Sequence, residues 1–109
     1  MPSCFSEQKK DDLIRELAVL VAFNTENPPG HEADAARWIG AQMAAMGCGV
    51  DHTEIAPGRF NVLGTFENGE GPVFAFNTHM DVVPAGEGWS SDPFQLRQEG
   101  DRLYGRAAA

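Results

Sequence analysis

The sequence predicts an α/β fold in which helices pack on a mixed β-sheet. Three observations predict it. Two early segments carry apolar residues at helical spacing, the period then changes to that of strands, and the order runs helix, helix, strand, strand, strand, hairpin. A chain of 109 residues suits one small domain with a modest core, and its 42% apolar and 22% charged composition is that of a globular protein.

The first helix is expected from about Glu7 to Phe23. Leu13, Ile14, Leu17, Leu20 and Val21 fall three and four apart on one face, with Ser6 as N-cap and Asp11 and Asp12 toward the positive end. Pro28, Pro29 and Gly30 end helical structure and fix a rigid turn. A second helix follows from about His31 to Met46, where Ala35, Ala36, Ile39, Met43 and Met46 share a side and Gly47 stands just past the end. Its alanines make a narrow face suited to close packing on strands.

Strands are expected at Val50 to Ile55, at Phe60 to Phe66, and at Val73 to Asn77. The last is a continuous apolar run, the pattern of a strand covered on both faces at the centre of a sheet. After a loop rich in Gly and Pro, Phe94 to Arg97 and Arg102 to Gly105 flank Gln98-Glu99-Gly100-Asp101 as a hairpin.

The formal charge is -8 and the basic residues are scattered, so neither nucleic acid nor an anionic membrane is an expected partner. No apolar stretch is long enough to span a bilayer or to form a signal peptide, which places the expected location in the cytoplasm. The two cysteines, Cys4 and Cys48, are expected to be reduced, and neither has a partner at zinc-finger spacing.

Chemistry concentrates in Phe76-Asn77-Thr78-His79-Met80-Asp81-Val82-Val83-Pro84, at the carboxyl end of the expected central strand, where open α/β sheets bind ligands. Alternation along an extended chain sends His79 and Asp81 to one side and Met80 to the other. A carboxylate that accepts the spare ring N–H of a metal-bound His fixes its tautomer and raises its basicity, so Asp81 reads as an orienter of His79. Alone, the triplet reads far more often as a surface turn with a hydrogen-bonded pair than as a metal site. His31 opens a helix and His52 lies in an edge strand, so neither is expected to converge on His79. Trp89 and Phe94 read as anchors of their loop, Arg106 as a member of an ion pair, and Met43 and Met46 as core.

Four motifs in order extend the reading: Asn27-Pro28-Pro29-Gly30, Thr78-His79-Met80-Asp81-Val82-Val83-Pro84, Gly88-Trp89-Ser90-Ser91-Asp92-Pro93-Phe94 and Leu103-Tyr104-Gly105-Arg106. Together they resemble the dinuclear zinc amidohydrolase and peptidase family of acetylornithine deacetylase, succinyl-diaminopimelate desuccinylase, aminoacylase and glutamate carboxypeptidase. The resemblance implies that residues 1–109 are the N-terminal part of a zinc-exopeptidase-like catalytic domain, without the lid or dimerisation domain of that family.

By the same resemblance His79 matches the first zinc ligand and Asp81 the catalytic-site Asp that supports it. Two zinc ions, or cobalt in their place, would hold a water against the scissile amide in the complete family site. The metal-bridging Asp of the family would follow Ala109, and Ala107 stands where the family has Gly. Expected substrates are N-acyl amino acids, with carboxypeptidase or dipeptidase action on peptides as the near alternative, and relatives are often homodimers. For the 109 residues themselves the expectation is weak, mononuclear metal binding at most, since a catalytic zinc takes about three protein ligands. A non-catalytic remnant that docks through an unfinished sheet edge is the contrasting expectation.

Overall fold

The computed structural model describes residues 6–108, so the reading of Cys4 lies outside the described residues. The order is α1 (Glu7–Ala22), α2 (Ala33–Ala45), β1 (Gly49–Ala56), β2 (Arg59–Thr65), β3 (Arg97–Glu99) and β4 (Arg102–Tyr104). The chain divides into two compact units, Thr25–Pro84 and the residues on either side of it.

Within the Thr25–Pro84 unit, α2 ends as its sequence dictates. The N–H of Gly47 reaches Ala44 O at 3.0 Å and that of Cys48 reaches Met43 O at 3.0 Å, while Gly47 takes φ +95°. This is a Schellman closure, which requires the left-handed conformation that glycine adopts at no steric cost. β1 and β2 form an antiparallel hairpin across Pro57-Gly58, pairing Val50 with Gly64, His52 with Val62 and Glu54 with Phe60. α2 covers the face that carries Val50, His52, Val62 and Gly64. A Cβ on Gly40 would lie 2.6 Å from His52 Nε2, and one on Gly64 would lie 3.2 Å from Met43 Cγ, so helix and hairpin meet at two glycines. Ala35 and Ala36 are buried, in keeping with the narrow alanine face, and Ala36 O lies 3.2 Å from His52 Nε2 of the hairpin.

The expected central strand is corrected. Residues 73–77 adopt no strand pairing, and Val73, Phe74 and Phe76 are exposed, Val73 by 94%. The apolar run encodes burial, but no described strand lies beside it to pair its N–H and C=O groups or to cover its faces. Phe74 and Phe76 instead meet edge to face, 5.0 Å between centroids. The observed sheets are two antiparallel pairs, β1 with β2 and β3 with β4, and the parallel element among the described residues is a single bridge between Glu26 and Val82.

In the other unit, Ser6 caps α1 by accepting from Lys9 N at 3.2 Å. Lys10–Glu7 and Arg15–Asp12 pair on its exposed surface at 2.7 Å each. The hairpin turn is tighter than expected. Gln98 and Glu99 belong to β3, and Gly100-Asp101 alone make the turn, Gly100 at φ +63°. Arg97 stacks over the Tyr104 ring at 4.6 Å. Gly105 packs on α1, since its Cβ would stand 2.9 Å from Val21 Cγ1. Trp89 is exposed and its indole donates to Ala85 O at 3.0 Å, a bond within its own loop. Met46, read as core, is 69% exposed because it lies at the last turn of α2, beyond the hairpin's cover. Cys48 is a free thiol.

Candidate active site

His79, Met80 and Asp81 form the turn that follows the extended run, and the segment Thr25–Asn27 holds that turn in place. Asn27 N–H donates to Val82 O at 2.7 Å and Val82 N–H to Thr25 O at 3.1 Å, which makes the parallel bridge. Two side chains reinforce it. The buried Thr25 hydroxyl donates to Met80 O at 2.7 Å, and the Asn27 amide donates to Asp81 Oδ2 at 2.9 Å.

The pairing that alternation predicts is present. His79 Nδ1 lies 2.8 Å from the Asp81 main-chain oxygen and 3.1 Å from Asp81 Oδ1. Both atoms are acceptors, so the neutral ring carries its proton on Nδ1 and its lone pair on Nε2. The His79 side chain is 81% exposed, open to a ligand on that lone pair. Asp81 divides its carboxylate between two donors, Oδ2 to Asn27 and Oδ1 to His79. The Asn27 amide is the main cause that holds the Asp81 carboxyl below the usual carboxylate range; partial burial opposes it and the His79 imidazole adds to it.

Beside this turn stands a second polar cluster. Glu32 is the N-cap residue of α2, yet its side chain caps nothing and is buried against Arg59 at the start of β2. Arg59 Nη2 and Nε donate to the two Glu32 oxygens at 2.7 and 3.1 Å, the bidentate geometry that a planar guanidinium favours. That contact keeps the Glu32 carboxyl below its usual range against the opposing effect of burial and of the Asp81 charge. Gly30, at φ +78°, passes over the guanidinium; a Cβ there would lie 2.7 Å from Arg59 Cζ. Glu32, Arg59, His79 and Asp81 line one part of an open depression of about 490 Å³, whose apolar wall includes Ile39, Met43, Phe60 and Phe76.

The other histidines stand apart, as expected. His52 Nε2 meets Ala36 O at 3.2 Å against α2, and His31 lies near Gly58. Among the described residues no three His, Cys, Asp or Glu side chains converge as a metal-holding group. The donor set of this segment therefore fits one corner of a zinc centre, an imidazole with a lone pair on Nε2 and a carboxylate behind it, and not a complete one. The sequence pairs His79 with Asp81, and the structure brings them together. Thr25, Glu32 and Arg59 carry no comparable signal, and Asn27 reads as a turn residue; the one signal for Asn27 is its place at the head of the Asn27-Pro28-Pro29-Gly30 motif.

The model of a known family, described as peptidase family M20/M25/M40, matches residues 75–109. Among curated proteins, the acetylornithine deacetylase of Vibrio vulnificus is 33% identical over 101 residues, 90% of this chain and 26% of that protein. The N-acetyl-L-citrulline deacetylase of Xanthomonas campestris is 34% identical over 96 residues, 84% of this chain and 25% of that protein. A probable succinyl-diaminopimelate desuccinylase of Staphylococcus aureus is 34% identical over 104 residues, 94% of this chain and 24% of that protein. The chain thus spans about a quarter of the length of the curated relatives it matches. No solved structure matches it.

Proposed function

Because this chain belongs to peptidase family M20/M25/M40, we propose that it supplies His79 and Asp81 to the active site of a metal-dependent hydrolase that cleaves linear amide bonds in N-acyl amino acids. The observation that carries the reading is His79 Nδ1 within hydrogen-bond distance of two Asp81 oxygens, which leaves Nε2 to coordinate. The similarity to deacylases by name favours deacylation over carboxypeptidase or dipeptidase action. In the reaction, water adds to the amide carbon, the C–N bond breaks, and a carboxylate and an amine leave. His79 would serve as one ligand through Nε2, with Asp81 holding its ring. A zinc or cobalt ion held there would supply Lewis acidity and a water of lowered pKa. Residues 1–109 are on this reading a partial catalytic domain of a cytoplasmic enzyme, and the exposed Val73, Phe74 and Phe76 are surfaces that further chain would cover.

The test is an assay of the natural polypeptide that carries this segment, with N-acyl amino acids as substrates and zinc or cobalt supplied. His79→Ala is expected to abolish hydrolysis. Activity that persists in that variant removes the assignment. The same exposed run favours a second reading, in which the 109 residues act without catalysis and associate through the unpaired edge at 73–77. Purified chain that stays monomeric, or that binds two zinc ions tightly, excludes it.

A further inference from the structure

We propose that Thr25 and Asn27 are positioning residues, which clamp the His79-Met80-Asp81 turn so that His79 presents Nε2 and not Nδ1 to a ligand. Four hydrogen bonds make the clamp, and they fall into two pairs with different tasks. The backbone pair, Asn27 N–H to Val82 O and Val82 N–H to Thr25 O, fixes the spacing of the two segments. The side-chain pair acts on the turn itself: Thr25 holds the Met80 carbonyl and Asn27 holds one oxygen of Asp81.

The clamp acts on the ring through the Asp81 carboxylate. A side chain about one third exposed would otherwise rotate and be solvated. With Oδ2 taken by Asn27 at 2.9 Å, Oδ1 is left facing His79 Nδ1 at 3.1 Å. The residue types matter. A neutral amide donates to a carboxylate without titrating, whereas Asp at the same place would repel Asp81 and Leu would offer no donor. Thr25 is 5% exposed, and its hydroxyl donates to the main-chain carbonyl of Met80 in the site turn. A free imidazole prefers the opposite tautomer, with the proton on Nε2, so the arrangement has to be held.

The proposal rests on the reading of His79 as a metal ligand only for its consequence; the clamp is testable without metal or substrate. The experiment is ¹⁵N NMR of the His79 ring in the uniformly labelled chain at about pH 8.5. The wild type is expected to show the Nδ1–H form in excess. Asn27→Leu, of similar volume, and Thr25→Val are each expected to shift the tautomer ratio toward Nε2–H by about threefold, the worth of one modest hydrogen bond. The double variant is expected to shift it further, and Asn27→Asp to match or exceed Asn27→Leu. Amide signals of β1 and β2 report that the hairpin is intact, and where the double variant loses them the single variants decide. Intact variants that keep the wild-type tautomer overturn the proposal. A chain that shows the shifts, embedded in a polypeptide that hydrolyses no amide, overturns the functional reading and leaves the clamp standing.

Discussion

Replacing Gly30 by Ala separates two costs that the structure places at one residue. Gly30 stands at φ +78° and Gly58 at φ +75°, both in the Thr25–Pro84 unit. An L-residue in that conformation costs about 1 kcal/mol, and the cost applies equally to both. Their neighbourhoods differ. A Cβ on Gly58 would meet His31 Nδ1 at 3.4 Å, an ordinary contact, whereas one on Gly30 would stand 2.7 Å from Arg59 Cζ and Nε. The flexible end of an exposed Arg would yield cheaply, but this guanidinium is held by two bonds to a buried Glu32. Overpacking of that kind costs about 1–3 kcal/mol. Gly58→Ala is therefore expected to destabilise by about 1 kcal/mol and Gly30→Ala by about 3 kcal/mol, read from urea midpoints at unchanged slope. Equal losses for the two would show that Arg59 is not pinned beneath Gly30, and would refute the account of the Glu32–Arg59 cluster as a fixed support beside the site.

Gly40→Ala gains about 1 kcal/mol of helix propensity but drives a methyl to 2.6 Å from His52 Nε2, so a net loss of about 1 kcal/mol is expected, and His52→Ala in the same chain should restore the gain; a thermal melt of the four chains of this cycle checks it. Glu32 has its carboxyl depressed in the folded state, chiefly by Arg59, so its contribution to stability is full above the ordinary carboxylate range and is lost as pH falls through the folded value. Denaturation between about pH 7 and pH 3 should show a fall in wild type that is shallower in Glu32→Gln; parallel curves would contradict the assignment.

The helices were legible because their signals are local. Ser6, the apolar spacing of α1, and Gly47 each act within a turn or two; Ser6 caps and Gly47 closes as its chemistry requires, while of the apolar face Val21 is buried and Leu13 and Leu20 are exposed. The run Val73 to Asn77 was not, because a continuous apolar stretch records a preference for burial and says nothing of whether a neighbouring strand is at hand. The β3–β4 turn was misjudged for a smaller reason: polar Gln98 and Glu99 look like turn residues, and only pairing with Leu103 and Arg102 shows them to be strand. At the site, His79 and Asp81 are two residues apart, so one rule about alternation joins them. Asn27 and Thr25 act on the turn across 54 and 55 residues, and Arg59 reaches Glu32 across 27. No periodicity links such distances; they are set by the parallel bridge at Val82 and by the packing of α2 on β2. The motif around Asn27 was visible, and its partner was not.

The central claim is that His79, backed by Asp81, offers Nε2 to a metal. A zinc titration of the labelled 109-residue chain, followed at the ring nitrogens of His31, His52 and His79, tests it most directly. The account predicts that Nε2 of His79 responds first, with weak binding of one ion per chain, and that Asp81→Asn weakens the response by about tenfold, the low end for loss of a supporting carboxylate. A response centred on His31 or His52, or coordination of His79 through Nδ1, would contradict it.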